Sequence, residues 1–403
     1  MQKGSYEFMK ILSIDDARRF ADKKVVVIIT GVTGQDGSFM SDFLLNNTEY
    51  EIYGGARRLS VSNHENIAHL GGEKRFHLIN FDLTDDHSIS RTISQLKPNF
   101  FINFAAQSFV KSSWDFPAQT WDTNTMPIIH ILEAIRLYCP ECRFYNAGSS
   151  EEFGDVVYAR QDENHPLRPR SPYGASKAAA RQLVKVYRES YRLYAIQGWL
   201  FNHEGTRRGE EFVTRKITKA VAQIAKQIQD GKPIIPLELG NLNAKRDWSD
   251  AEDCVDAVWK MLNQEKYNVS FPQIELAGSS GYYTKETYNQ LVREKWLPLI
   301  KEYVVSSGEN HTVKEFVSEA FDAAGIQGHW EGEKEKERFI WGETYAPSPV
   351  LVKINPTYYR PAEVDVLLGN PDKIALELGW KATTTFKQLV KKMVDKDLKL
   401  IGL

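Results

Sequence analysis

The feature that most restricts the fold is a run of five β-branched residues, Val25-Val26-Val27-Ile28-Ile29, that leads straight into a glycine-rich turn. An apolar run with no polar alternation suits a strand buried on both faces of a parallel sheet. The turn, Thr30-Gly31-Val32-Thr33-Gly34-Gln35-Asp36-Gly37, is followed by an amphipathic stretch from Ser38 to Leu45. In this strand–turn–helix setting each glycine of G-x-x-G-x-x-G has a task. The chain must turn tightly, its backbone must approach a pyrophosphate, and the helix must pack close to the strand. The helix N-terminus then offers unpaired N–H groups and a partial positive charge. Gly31, Thr33, Gly34, Gln35, Asp36 and Gly37 are therefore candidate dinucleotide contacts.

The alternation continues. Strands are expected at Glu51–Ala56, Phe76–Phe81, Phe100–Phe104, Arg143–Ala147 and Ala195–Phe201, with helices at Ser88–Gln95, Met126–Tyr138 and Ala175–Tyr191 between them. Such a rhythm argues for an α/β fold with a doubly wound parallel Rossmann sheet. After residue 205 it changes to a charged helix (Val213–Gln229) and proline-marked extended pieces, the pattern of a smaller, mixed α/β C-terminal lobe that binds substrate. The expected organisation is an N-terminal extension over 1–22 and a nucleotide-binding domain over 23–205, with 247–264 returning to it. The substrate-binding lobe comprises 206–246 and 302–403, and 265–301 is a surface insertion rich in Tyr and Trp, packed on itself or serving a partner.

Composition excludes several classes. A net charge of −2 with scattered Lys and Arg gives no nucleic-acid footprint. The longest apolar run is too short to span a bilayer, and residues 1–24 contain no secretory h-region. Three cysteines do not make a disulfide scaffold and point to a reducing, cytoplasmic setting. Cys139 and Cys142 form a C-x-x-C with no second ligand pair nearby, so a buried structural pair outweighs a metal or redox role, and no metal site is expected.

The second expected strand ends in Arg57-Arg58, about 20 residues past the last glycine, where an acid would take a ribose 2′-hydroxyl and an arginine suits a 2′-phosphate. The pair favours NADP over NAD, against the alternative of a solvated basic loop. Asp82-Leu83 follows the next strand and is placed to meet the adenine, or to form a turn.

Tyr173-Gly174-Ala175-Ser176-Lys177 is Y-x-x-x-K on a helix, which sets both side chains on one face. An ammonium nearby favours the phenolate and makes the tyrosine a base. Ser149 lies at the C-terminal end of the preceding strand, the edge where open α/β sheets bind ligands. Ser, Tyr and Lys together are the set of short-chain dehydrogenases and reductases. Glu151 is an additional carboxylate that plain alcohol–ketone exchange does not need and an elimination does; capping a helix is its other reading.

At this point the chain resembles the GDP-mannose 4,6-dehydratase family. The resemblance rests on Thr30 to Ser38, Tyr187-Arg188-Glu189-Ser190-Tyr191, Leu200-Phe201-Asn202-His203-Glu204 and Arg207-Arg208-Gly209-Glu210 through Ile217. It extends to Leu239-Gly240-Asn241-Leu242, Arg246-Asp247-Trp248 and Tyr359-Arg360-Pro361-Ala362-Glu363-Val364, and covers about 24–264 and 302–396. It implies that Ser149, Glu151, Tyr173 and Lys177 are catalytic. It places Phe104, Ala105, Ala106, Gln107, Ser108, His203 and Arg208 at the cofactor, with Tyr173 and Lys177. It places Ser108, Ser149, Ser150, Glu151, Asn202, Val213, Lys216, Gly240, Arg246, Arg360 and Glu363 at a nucleotide-sugar. It also implies a homodimer or homotetramer in which the Arg57–Asn66 loop reaches a neighbour's cofactor site. The chain departs from the family where Gly148-Ser149-Ser150-Glu151-Glu152-Phe153-Gly154 replaces an S-T-S-E-L-Y-G type segment, at Phe109 in place of His and at Gln119 in place of Tyr. The implied reaction is an NADP-dependent dehydration by internal hydride transfer from C4 to C6 of the sugar. An epimerase or reductase of the same fold, or a non-catalytic NADP-binding protein, is the competing reading.

Overall fold

A computed structural model describes residues 11–18, 21, 24–58, 63–267, 299–342, 348–358 and 366–403 of the 403-residue chain. Arg360, Glu363 and nearly all of the 265–301 segment lie outside the described residues.

Strands β1 (Val26–Thr30), β2 (Glu51–Ala56), β3 (Phe76–Asn80), β4 (Phe100–Asn103), β5 (Arg143–Ala147) and β6 (Ala195–Leu200) join Val304–Val305 in a seven-stranded sheet. Its order is Val304–Val305, β6, β5, β4, β1, β2, β3, and every pairing is parallel. The winding reverses between β1 and β4, so the switch point opens at the carboxyl ends of those two strands.

The β1 run explains why both faces are covered. Val27 and Ile29 point into one core with Phe39, Met40 and Leu44 of helix Gln35–Asn47 and with helix Ala251–Leu262. Val26 and Ile28 point into the other, against helices Asp86–Leu96, Met126–Tyr138 and Pro172–Tyr191. Each such side chain contributes about 1.5–3 kcal/mol on burial. The helices end where local chemistry stops them. Asp85 caps Asp86–Leu96 by accepting from the His87 and Ser88 N–H groups, and Lys97 closes it in the left-handed region at φ 44°. Ser171 caps Pro172–Tyr191 by accepting from Gly174 N–H, with Pro172 at the first helical position.

The smaller lobe has its own core. Helices Val213–Gln229, Val313–Ala323 and Phe386–Leu400 enclose Ile217, Val221, Phe316 and Leu389 with a four-stranded sheet built from Leu237–Leu239, Gly328–Glu331, Arg338–Trp341 and Val350–Ile354. A three-stranded sheet of Lys245–Arg246, His311–Thr312 and Val366–Leu367 sits beside it.

Three details differ from the sequence expectation. The first helix begins at Gln35, not Ser38, because the third glycine belongs to its first turn: a Cβ at Gly37 would lie 2.4 Å from the Gly31 carbonyl oxygen. Val304–Val305, expected in the smaller lobe, hydrogen-bonds to β6 as the seventh strand. Ile374, Leu378 and Trp380 likewise join the nucleotide-domain core. The extension is not separate either, since Leu12 N–H donates to the Leu78 carbonyl at 2.8 Å and Ala17 is buried under the sheet.

Candidate active site

The glycine loop has the geometry a dinucleotide needs. Gly31 has φ +67°, and a Cβ there would meet the Ala105 backbone nitrogen at 2.7 Å. Gly34 heads the Gln35–Asn47 helix and no side chain caps it, leaving the first-turn N–H groups for a ligand's phosphates. Phe104 to Gln107 flank this cradle half-buried, with Ser108 exposed at its rim.

Asp36 and His203, both expected at the cofactor, face each other: His203 Nε2 lies 3.0 Å from Asp36 Oδ2, and its Nδ1 is 2.7 Å from the Phe201 carbonyl. Burial pushes the Asp36 carboxyl up, but the charge and hydrogen bond of His203 and the Arg208 guanidinium outweigh it and hold the pKa below the usual value. The His203 pKa is raised: burial depresses it, and Asp36 more than compensates. The pair keeps a carboxylate beside the phosphate cradle electrically balanced. Arg208 also pairs with Glu204 at 2.9 Å and lies over the Phe212 ring at 3.5 Å.

Arg57 and Arg58 are exposed at the carboxyl end of β2. Asn66, the far end of their loop, donates to the Thr33 carbonyl of its own chain at 3.0 Å. Asp82 accepts from Thr84 N–H and Oγ1 at 2.9 and 2.8 Å, which realises the turn reading; Leu83 beside it is buried.

The catalytic candidates converge at the end of β5. Ser149 caps a short 3-10 turn, Ser150–Glu152, by accepting from Glu151 N–H at 3.2 Å, and its hydroxyl stands close enough to Tyr173 to act on the pKa of the phenol. The cap is made by Ser149 and Glu152 and not by Glu151, which the turn carries half-buried. The turn lies directly on the Tyr173 helix, because a Cβ at Gly174 would sit 2.5 Å from the Glu151 carbonyl oxygen.

Lys177 lies on the same helix face as Tyr173 and is tied to the end of β5. Its Nζ donates to the Ala147 carbonyl at 2.8 Å and stands 6.0 Å from the Tyr173 ring centre. Burial raises the Tyr173 pKa, with Glu151 and Glu152 adding to it, while the Ser149 hydrogen bond and Arg208 oppose. Burial also lowers the Lys177 pKa to about 8, against the charges of Glu152 and Asp36. Burial thus disfavours the phenolate in the protein alone.

The substrate candidates form two groups. Strand Asn202–Glu204 pairs in parallel with Trp248–Asp250, bringing Asn202 opposite Trp248, two residues along the chain from buried Arg246. Val213 starts the helix on which Lys216 donates to the Glu238 carbonyl at 2.8 Å, one turn of chain from Gly240. Tyr358 joins this second group: Lys216 Nζ lies 4.1 Å from its ring centre, and a Cβ at Gly240 would come within 2.8 Å of its carbonyl oxygen. Sequence reasoning missed Tyr358, whose only signal is adjacency to the Tyr359-Arg360 motif. It also missed Glu152, Arg181 and Gln197, described below. Among the described residues no group of three His, Cys, Asp or Glu side chains could hold a metal ion, and no helix is long and apolar enough to cross a membrane.

A parallel sheet with an uncapped glycine-loop helix, and a serine at its carboxyl edge beside the helix of Y-x-x-x-K, defines a short-chain dehydrogenase/reductase. Solved structures share the fold. A dTDP-glucose 4,6-dehydratase from Streptomyces venezuelae with NAD and TYD bound superposes with TM-score 0.69 at 18% identity, covering 94% of this chain and 98% of that one. A UDP-glucose 4-epimerase from Thermus thermophilus in complex with NAD gives 0.67 at 22% identity, covering 93% and 99%.

The chain belongs to the GDP-mannose 4,6-dehydratase family, whose sequence model matches residues 28–277 and 284–393. It is 39% identical to the Drosophila melanogaster GDP-mannose 4,6 dehydratase over 386 residues, covering 93% of this chain and 87% of that one. The human GDP-mannose 4,6 dehydratase is 37% identical over 385 residues, covering 93% and 92%. The family match runs through most of the segment read as an insertion and leaves only 278–283 outside it.

Proposed function

We propose that this protein dehydrates GDP-mannose to GDP-4-keto-6-deoxymannose with NADP as its cofactor. The observation that carries the reading is that the turn capped by Ser149, which bears Glu151, packs directly on the helix of Tyr173 and Lys177. These residues supply the acid–base groups an internal elimination requires. The relatives at 37–39% identity are GDP-mannose 4,6-dehydratases, which supports the substrate.

The glycine cradle fits a dinucleotide pyrophosphate, and Arg57 with Arg58 fits a 2′-phosphate as charge-assisted donors. NADP, when bound, takes up and returns the hydride, so the reaction has no net redox change. Tyr173 Oη takes the proton of the sugar C4 hydroxyl, and Ser149 Oγ holds the C4 oxygen. The carbonyl this creates at C4 acidifies the C5 hydrogen. Glu151 removes the C5 proton and delivers it to the departing C6 oxygen, which leaves as water, and C5 is reprotonated when C6 is reduced, which balances the proton that Tyr173 took. Lys177 holds positive charge beside Tyr173 and offsets the cost of the phenolate that the buried site otherwise imposes. Arg246, Lys216 and Arg360 are the proposed diphosphate and nucleotide contacts, with Ser108, Ser150, Asn202, Val213, Gly240 and Glu363 around them.

The exposed apolar side chains Trp114, Phe116, Trp121, Leu137, Tyr138, Val186 and Tyr191 lie on adjoining helices, and we place the self-association surface there. Three free, buried cysteines are in keeping with a reducing cytoplasm.

Incubation with GDP-mannose and no added reductant should yield a product lighter by one water. Glu151→Gln should cut that yield by about 10²–10⁴-fold while leaving the cofactor bound. No water loss from the wild-type protein sinks the reading.

A further inference from the structure

A line of buried side chains crosses the carboxyl ends of the central strands. Thr30 Oγ1 donates to Asn103 Oδ1 at 2.5 Å, Asn103 Nδ2 to Asn146 Oδ1 at 2.7 Å, and Asn146 Nδ2 to Gln197 Oε1 at 2.6 Å. Gln197 Nε2 then donates to Glu152 Oε1 at 3.0 Å and to the Lys177 carbonyl at 3.0 Å. The line thus begins at the residue before Gly31 and ends beside the catalytic turn.

Glu152 is its terminus, and its side chain is fully buried. Oε1 also accepts from the Ser149 backbone N–H at 2.8 Å, while Oε2 accepts from Arg181 Nε at 2.5 Å. Arg181 is held in turn: its guanidinium lies 3.4 Å from the Trp199 ring centre, and Nη1 is 3.0 Å from Glu302, which also pairs with Arg188 at 2.9 Å. Two carboxylates and two guanidiniums therefore balance one another out of water.

Stability alone does not call for this arrangement, since apolar side chains of similar volume often serve a core as well as a buried ion pair. Its geometry is directed at the site. A Cβ at Gly148 would lie 2.2 Å from the Gly198 carbonyl oxygen, 2.7 Å from Glu152 Oε1 and 2.8 Å from Arg181 Nη2. Gly148 and Glu152 are accordingly one structural choice, made at two of the places where this segment departs from the S-T-S-E-L-Y-G pattern.

We propose that Glu152, clamped by Arg181, is a positioning residue for the dehydration. Its carboxylate fixes the Ser149 backbone, and through it both the hydroxyl beside Tyr173 and the turn that carries Glu151. This rests on the proposed function. Glu152 itself touches neither substrate nor cofactor.

The test compares wild type with Glu152→Leu/Arg181→Met, which removes both charges together, and with Arg181→Lys, which keeps the charge and loses the fork. We expect the double variant to melt near wild type and to keep its KM for GDP-mannose and its NADP affinity, while kcat falls roughly 30–100-fold, the size of loss that a misplacement of about 1 Å produces. Arg181→Lys should fall between the two. Hydrogen–deuterium exchange should speed up at the amides of residues 148–152 and stay unchanged in β1. A double variant with wild-type kcat, or with unchanged exchange over 148–152, overturns the proposal. If the double variant does not fold, Arg181→Lys decides on the same two readouts. If wild type releases no water, the functional reading fails separately, and the exchange measurement alone decides whether Glu152 holds the turn.

Discussion

Lys177 and Ala147 are joined across the carboxyl edge of the sheet, the lysine Nζ donating at 2.8 Å to a carbonyl two residues before Ser149. The bond aims an ammonium at the strand end that leads to Ser149, in a setting where burial lowers its pKa from 10.5 to about 8. Because the folded value lies below the unfolded one, the charged form is a cost to the fold below pH 8. Stability therefore rises with pH between about 8 and 10.5 as the folded lysine discharges first. Lys177→Met should abolish water loss yet stabilise the protein near pH 7 by about 2 kcal/mol, the lost hydrogen bond already subtracted. The gain should vanish above pH 10.5, where both states of the wild type are neutral. Denaturant unfolding at pH 7 and pH 10.5 checks this, and a variant less stable than wild type at pH 7 would show that the ammonium is well solvated.

Arg57 and Arg58, exposed where β2 ends, are the donors we propose for the 2′-phosphate of NADP. Replacing both with Ala should weaken NADP binding about 10–100-fold and leave NAD binding nearly unchanged, since only the 2′-phosphate loses its charged donors. Raising the salt concentration should weaken NADP binding in the wild type and much less in the variant. Titration of each dinucleotide by fluorescence or calorimetry reads both, and equal loss for NADP and NAD would place the arginines elsewhere than at the 2′-phosphate.

The extension before β1 behaves as part of the nucleotide domain. Leu12 adds a backbone bridge to the edge strand β3, and the buried Tyr53 hydroxyl donates to the Ala17 carbonyl at 2.9 Å. Deleting residues 1–22 should cost about 2–3 kcal/mol, part from exposed apolar surface and part from the orphaned hydroxyl. Tyr53→Phe in the truncated protein should recover about 1 kcal/mol, while costing about that much in the full chain. Melting curves of the four proteins form the cycle, and additive effects would deny the contact its role.

How much of this was legible depends on where the information sits. The Val25–Ile29 run and the amphipathic periods of Met126–Tyr138 and Val213–Gln229 are local, and those helices occur with the expected ends. Ser149, Tyr173 and Lys177 were legible because strand-end and helix-face spacing bring them together. Val304–Val305 was not, since two residues carry no period and their pairing with β6 is set by tertiary contact. Helices Ser112–Asp115 and Pro117–Asn124 were hidden by Pro117 and by exposed aromatics where a buried stripe was sought. Glu152 reads as the second half of an exposed acidic pair, because only the fold reveals Arg181 beneath it. Tyr173 shows the opposite failure: its neighbour Lys177 was identified, but the burial that disfavours the phenolate is invisible in Y-x-x-x-K.

Asp247 offers a last test, next to the substrate candidate Arg246. Fully buried, it accepts from Ser307 N–H and Oγ at 2.8 and 2.6 Å, from Gly308 N–H at 3.0 Å and from Gly369 N–H at 3.2 Å, tying two segments to the Arg246 strand. Burial nevertheless raises its pKa from 3.8 to about 6, since these four donors offset only part of the desolvation. The folded value exceeds the unfolded one, so the fold favours the protonated form. Stability from this group is complete below about pH 4 and is lost as pH rises to about 6. Asp247→Asn, which turns an amide N–H2 toward two backbone donors, should be less stable than wild type at pH 4. The gap should narrow by roughly 2–3 kcal/mol on going to pH 7, because only the wild type pays for ionisation. Its KM for GDP-mannose should rise at every pH, since the Arg246 strand loses its ties. Unfolding of both proteins at the two pH values decides the matter, and a gap that widens toward neutral pH would mean that the hydrogen bonds outweigh burial and hold the carboxylate ionised.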